Sequence, residues 1–466
     1  MWRQSLSVCV LAFFLFCGLG AVQGALGATT GTVISVTDIH FDPFQGFGDP
    51  VRKKIATSDY TDWRSIYLKN PRPKGDIGQQ TNFSLLDSTI REMQSICPHP
   101  DFIIFSGDLL GHGIEDEYKA YLKHNPGVSL DAFVQNTLSF INYEFKLYFS
   151  DVPIYFTLGN NDNYIDFGIA PPPVDTFLPD TKDIFFAYIG DAGQEASFMA
   201  TFPQTGGYSV YPAAAPTNKI IALNDIYFST NSKQSNNYPA GWQQMTWLAS
   251  ELASAAQNGE KVWIISHIPP GVDVGTTLSN KKITDFWQTT NTNAQGQTFL
   301  EAFSALTVEY SSVIAGIFCG HTHMDHFRLI SDQGGAIAFV HVSPAVSPQF
   351  GNNPAFQVLT YDRTTFGVID FETYRYGYAR QTWGKEYSFD LTYDLSLYDP
   401  ANLETLFDRL PQDAAARKHV TDYFDVNNPG YKPITAKTWQ PYWCGIAYLT
   451  NQDFVTCEGS VFSPAP

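Results

Sequence analysis

The chain has 466 residues, 46 of them acidic and 28 basic, for a formal net charge of −18, with 44% hydrophobic and 15% aromatic side chains. That apolar content excludes a disordered chain, and the acidic balance excludes a protein that coats nucleic-acid polymers, whose phosphates it would repel. The length allows about three domains, or one large α/β domain with an accessory region.

Residues 1–24 read as a secretory signal peptide. Arg3 leads, 6–19 are apolar, and the small residues Gly24, Ala25 and Ala28 follow. The apolar core falls short of the roughly 18 residues that favour a membrane span. A secreted or lumenal protein of a vacuole- or lysosome-like compartment is expected.

Short β-rich runs at 33–36, 102–105, 154–158, 220–223, 262–265, 314–318 and 336–342 end in polar or glycine-containing turns. Amphipathic stretches at 82–96, 130–150, 243–258 and 297–310 lie between several of them, predicting helices. This alternation predicts a layered α/β domain over 30–370. The segments 41–81 and 163–205 read as long irregular inserts, of the kind that carry function. From 371 the composition turns tyrosine-rich, then helical over 402–424, so 371–466 is expected to be a mainly helical C-terminal extension. Its tyrosines are expected to pack between domains, with stacking on a base or contact with a lipid surface the alternatives.

Once Cys9 and Cys17 leave with the signal, Cys97, Cys319, Cys444 and Cys457 remain. Cys444 and Cys457 close a short loop and are expected to form a disulfide in an oxidising compartment. Cys319 follows an apolar run and is expected to be a buried thiol; nothing assigns Cys97. Asn82-Phe83-Ser84 is a glycosylation signal.

Five motifs place metal-ligand residue types directly after predicted strands, where the loops of α/β sheets converge. They are Asp38-Ile39-His40, Gly107-Asp108, Gly159-Asn160-Asn161-Asp162, His267 after 264–266, and Gly320-His321-Thr322-His323. In an extended segment, alternation turns Asp38 and His40 to one side, and likewise His321 and His323. Neutral imidazoles with carboxylate and amide oxygens suit zinc and similar divalent ions. Burying so many of them without a cation would be costly.

The ordered set resembles the calcineurin-like metallophosphoesterase superfamily across about 30–370. The resemblance implies two packed mixed β-sheets flanked by helices and two divalent metal ions, zinc favoured. It implies Asp38, His40 and His323 on the first ion, Asp108 as the bridge, and Asn160, His267 and His321 on the second. Gly111 stands where purple acid phosphatases have a tyrosine ligand. His112, four positions after Asp108, is similar instead to the acid sphingomyelinase-like phosphodiesterases, where that histidine faces the substrate phosphate. The runs 266–271, 320–327 and 343–348 match that branch, and the tail carrying Cys444 and Cys457 is similar to its C-terminal region. Asn161 departs from the branch's histidine. As asparagine is not a general acid, the leaving-group proton passes to His112 in this reading, with Asn160 and Asn161 beside the phosphate and His326 either lining the cleft or filling a loop.

The expected activity is hydrolysis of a small phosphodiester, a phospholipid head group or a nucleotide, by water activated between two metal ions. Gly-Asn-Asn-Asp also resembles endopolyphosphatases, which keeps phosphoanhydride hydrolysis as an alternative, and a non-catalytic binding protein on the same fold is a third. His341 is expected to be structural, and His99, His124 and His419 ordinary surface residues.

Overall fold

Runs such as Phe102-Ile103-Ile104-Phe105, apolar at every position, can only be strands covered on both faces. The computed structural model describes residues 29–122, 129–234 and 237–459, so the expected signal at 1–24, Cys9, Cys17 and His124 lie outside the described residues. Twelve strands are described, in chain order β1 (Thr30–Val36), β2 (Phe102–Phe105), β3 (Ile154–Phe156), β4 (Tyr208–Val210), β5 (Lys219–Ala222), β6 (Val262–Ile265), β7 (Ile314–Cys319), β8 (His326–Asp332), β9 (Gly335–Val342), β10 (Ala355–Asp362), β11 (Val368–Gly377) and β12 (Thr382–Ser388). They form two six-stranded sheets, in the orders β12-β11-β10-β1-β2-β3 and β4-β5-β6-β7-β9-β8. Within the first, β1, β2 and β3 are parallel and β10 to β12 antiparallel. In the second, β5, β6, β7 and β9 are parallel, with β4 and β8 antiparallel at the edges.

The sheets are the expected two mixed layers. Trp263 on β6 sits with its ring 5.7 Å from Phe102 and 5.4 Å from Tyr361 of the opposite sheet. Its indole N–H donates to the Phe366 carbonyl at 2.6 Å, so the burial leaves no donor unpaired. His341 is structural, as expected, its ring nitrogens lying 2.9 Å from Tyr398 Oη and 2.7 Å from Gln357 Oε1.

Several expectations change. The inserts are helical at Asp49–Thr57, Tyr60–Lys69, Phe177–Ile189 and Glu195–Thr205. The first pair buries few residues per turn, among them Ile55, Trp63 and Tyr67, too sparse a stripe for periodicity to show. Strand β11 runs through the 370/371 boundary and β12 follows it, so the extension is helical only from Phe389 onward. The helix over 402–424 is two, Pro400–Arg409 and Ala414–Phe424. Pro411 between them cannot continue a helix, and Asp413 caps the second by accepting from the Ala415 and Ala416 amides. Tyr374, Tyr376, Tyr387 and Tyr393 are buried, in keeping with a packing role. His99 is exposed, but His419 packs its ring 5.6 Å from Tyr423 and 6.3 Å from Tyr393.

Cys444 and Cys457 are disulfide-bonded, while Cys97 and Cys319 are buried free thiols. Asn82 is only 4% exposed. Its Oδ1 caps the helix Phe83–Ile96 through the Leu85 amide at 3.0 Å and its Nδ2 donates to the Pro73 carbonyl at 2.8 Å. Both ends of the Asn82 side chain are thus engaged, the oxygen in a helix cap that contributes about 1 kcal/mol. Among the described residues no helix is long and apolar enough to cross a membrane.

Candidate metal centre

The parallel strands β1, β2, β3, β6 and β7 end along one edge of the paired sheets, and every expected ligand follows one of them. Past the strands the backbone keeps pairing: the Asp38 and His40 amides donate to the Gly107 and Asp108 carbonyls at 2.9 and 3.0 Å, and the Gly320 amide to the His267 carbonyl at 3.0 Å. The alternation that turns both members of each His and Asp pair inward is not that of an extended strand. Asp38, His40, Asp108, His321 and His323 all have positive φ, from 44° to 68°. Left-handed backbone is unfavourable for such residues and gathers at functional sites. Glycine permits the crowding, since a Cβ on Gly159 would lie 2.1 Å from Asp108 Oδ1, and one on Gly320 2.0 Å from Thr37 Oγ1.

All seven expected ligands meet. Asp38, His40 and Asp108 form one group of donor atoms, and Asp108, His267 and His321 another, each within 4.8 Å, so Asp108 is shared. His323 Nε2 lies 3.0 Å from His40 Nε2 and 3.4 Å from Asp38 Oδ1. Asn160 Oδ1 lies 3.1 Å from His267 Nε2. The outer nitrogens of two rings are spoken for: His40 Nδ1 is 3.1 Å from the Leu110 carbonyl and His267 Nδ1 2.6 Å from that of Ser106. Each arrangement leaves Nε2 free to bind inward.

His112 stacks on His40, ring centroids 4.2 Å apart, with its Nε2 buried and unpartnered. Asn161 is turned toward Asp108 and does not line the cavity beside the site. It is 2% exposed, and its backbone and side-chain amides donate to Asp108 at 2.7 and 2.8 Å. Its short amide is spent on orienting that carboxylate. His326 begins β8, its Nε2 3.1 Å from Thr322 Oγ1, and helps line the cavity beside the site. Asp162 was legible only as part of a motif. Buried, it accepts from the amides of Asp108, Leu109, Leu110 and Gly159 at 2.8–3.1 Å, tying two ligand loops together.

Burial opposes charge on Asp108, but His267 and His40 outweigh it and hold the carboxyl well below its usual range. Burial likewise opposes charge on His267, yet Asp108 and Asp38 push it up to about 10. His40 is raised against burial by the same two carboxylates. Burial pushes His321 and His323 down to about 3, which keeps them neutral and ready as ligands. Burial, with the charge of His40, pushes His112 down to about 4. The carboxylates therefore demand positive charge, and Asp38 Oδ1 is buried with no hydrogen-bond partner. This donor set of imidazoles, two carboxylates and one amide oxygen fits divalent cations.

A family model described as calcineurin-like phosphoesterase matches residues 31–325. The chain belongs to that family. It is similar to acid sphingomyelinase-like phosphodiesterase 3b of Mus musculus, 26% identical over 94% of this chain and 92% of that protein. A cyclic GMP-AMP phosphodiesterase of Homo sapiens is 27% identical, covering 97% and 96%. Sphingomyelinase phosphodiesterase D of Dictyostelium discoideum is 29% identical, covering 80% and 82%. These likenesses place the chain in the acid sphingomyelinase-like branch of the phosphoesterases, hydrolases of ester bonds.

The metal centre of this phosphoesterase opens into a cavity of about 410 Å³. Its further walls include Phe167, Phe286, Phe350 and, from the C-terminal region, Phe424, Tyr431, Trp439 and Tyr442. Arg328 is the one lysine or arginine in the lining among the described residues, and it donates to the Pro270 and Val272 carbonyls at 2.7 and 2.9 Å. The aromatic wall escaped the sequence reading because its residues are scattered over some 280 positions with no shared period.

Loading this phosphoesterase with zinc at pH 7 is expected to release at least about one proton per chain, that of His267. His267 is pushed up to about 10, so it holds its proton at neutral pH and affinity must fall as pH falls below that value. Calorimetry in buffers of different ionisation enthalpy measures the release, and a binding heat that ignores the buffer contradicts it.

Proposed function

We propose that this phosphoesterase is a secreted or lumenal phosphodiesterase that uses two divalent ions, zinc favoured, to hydrolyse small phosphodiesters whose leaving group is largely apolar or aromatic. Nucleotides and phospholipids are of this class. The observation that carries the reading is the cavity, which joins the ligand cluster to an aromatic wall that offers no free lysine or arginine. A polyphosphate chain needs several cations along its length to offset its charge, and the net charge of −18 works against it as well. The names of the relatives, a cyclic GMP-AMP phosphodiesterase and a sphingomyelinase phosphodiesterase among them, support the organic phosphodiester. The complete ligand set speaks against a silent binding protein.

In this reading Asp38, His40 and His323 hold one ion, Asn160, His267 and His321 the other, and Asp108 both. When bound, the ions supply Lewis acidity and lower the pKa of water toward neutrality. The chain's own residues orient and exclude. Asn161 fixes the Asp108 carboxylate, and Ser106 and Leu110 fix two imidazoles through their carbonyls. His112, neutral above about 4, offers its free Nε2 as a hydrogen-bond donor to a phosphoryl oxygen. The rings of Phe286, Phe350 and Tyr442 exclude water and take the apolar part of the substrate.

Purified protein should be assayed on a chromogenic phosphodiester, a cyclic dinucleotide, sphingomyelin, nucleoside triphosphates and polyphosphate, with zinc and with chelator. The diesters should be cleaved at least about tenfold faster than polyphosphate at equal phosphate, and chelator should stop them. Faster hydrolysis of polyphosphate would replace this reading with the endopolyphosphatase one.

A further inference from the structure

The amide of Asn160 has two ends of nearly equal size and opposite use: its oxygen can bind a cation and its NH2 cannot. The residue is 3% exposed, with Oδ1 directed at His267 Nε2, 3.1 Å away, and Nδ2 3.1 Å from Asp166 Oδ1. An ionised carboxylate only accepts, so Asp166 can pair with one end of the amide and not the other. We propose that Asp166 is the positioning residue that keeps the Asn160 oxygen turned toward the second metal position. The proposal rests on the dinuclear reading above.

The loop is built to bring Asp166 back onto Asn160, six residues earlier. The Phe167 amide donates to the carbonyl of Asn160 itself at 2.7 Å, and the Gly168 amide to the Ile165 carbonyl at 2.7 Å. Phe167 takes a left-handed φ of 52° to close that turn, and the Lys233 amide fastens it from outside by donating to the Phe167 carbonyl at 3.0 Å. The same turn sets the Phe167 ring edge-on to the ligand His321, 6.5 Å between centroids. Asp166 is half-buried behind Asn160 and lines no part of the cavity, so it acts through Asn160 and not on substrate.

An aspartate at 160 would present an oxygen whichever way it turned, which provides the test. Zinc is titrated into metal-stripped full-length protein carrying Asp166→Ala, Asn160→Asp, or both. Wild type should bind two equivalents; a single equivalent there would refute the dinuclear reading and not this assignment. Asp166→Ala should weaken one of the two equivalents by about 10–100-fold and leave the other within about twofold. In the Asn160→Asp background the same Asp166→Ala change should cost nothing. Equal losses in both backgrounds, no loss in either, or failure to fold in both would each overturn the assignment, since a purely structural Asp166 would matter regardless of residue 160.

Discussion

Asp108→Ala is expected to leave less than half a zinc ion per chain and to slow hydrolysis of every substrate by more than about 10⁴-fold. Lowering the pKa of water from about 15.7 to about 7 is chemistry the side chains alone cannot supply. Asp108 belongs to both donor groups, lying 3.4 Å from His40 Nε2 and 3.3 Å from His267 Nε2, and no neighbouring carboxylate can take its place between them. Elemental analysis of the variant expressed with zinc, beside the melting temperature of metal-stripped wild type and variant, separates metal loss from unfolding. Two retained ions would refute the shared role of Asp108.

His112→Ala is expected to slow hydrolysis by about 10²–10³-fold while leaving metal content intact, the loss typical of removing one donor to a developing oxyanion. From the sequence alone His112 is the general acid, which predicts a large loss on alkyl leaving groups and little on nitrophenolate. The structure favours the other of its two expected roles. Burial and the charge of His40, whose ring lies 4.2 Å away, push His112 down to about 4, so it carries no spare proton at neutral pH. The loss should therefore be equal on both leaving groups, and flat in pH above about 5. Asn161→His should not rescue it, because residue 161 faces Asp108 and not the cavity. Strong dependence on the leaving group would restore the general acid.

Chemistry-bearing residues were legible because each motif sits at a strand end and strands as apolar as Phe102-Ile103-Ile104-Phe105 announce themselves. Strands β10, β11 and β12 were not, since polar residues such as Gln357, Glu372 and Arg375 interrupt their pattern. Asn161 shows the limit for the site. Its identity ruled out acid catalysis, but only the folded chain shows its amide bound to Asp108, 53 positions away.

The sequence by itself therefore determined which residues gather at the site, the order of the strands that carry them, the Cys444–Cys457 bridge and the phosphoesterase family, because these depend on residue type and local spacing. Only the tertiary structure decided how Asp38, His40, His321 and His323 turn inward. Left-handed backbone at non-glycine residues is a cost that the surrounding fold imposes, not a preference that local sequence expresses. It likewise decided the environment of His112, the pairing of Asp166 with Asn160 and the aromatic wall. Burial and charge at His112 and the shape of the cavity come from segments hundreds of residues apart brought to one edge of two sheets, and the Asp166 contact from a turn that a left-handed Phe167 closes.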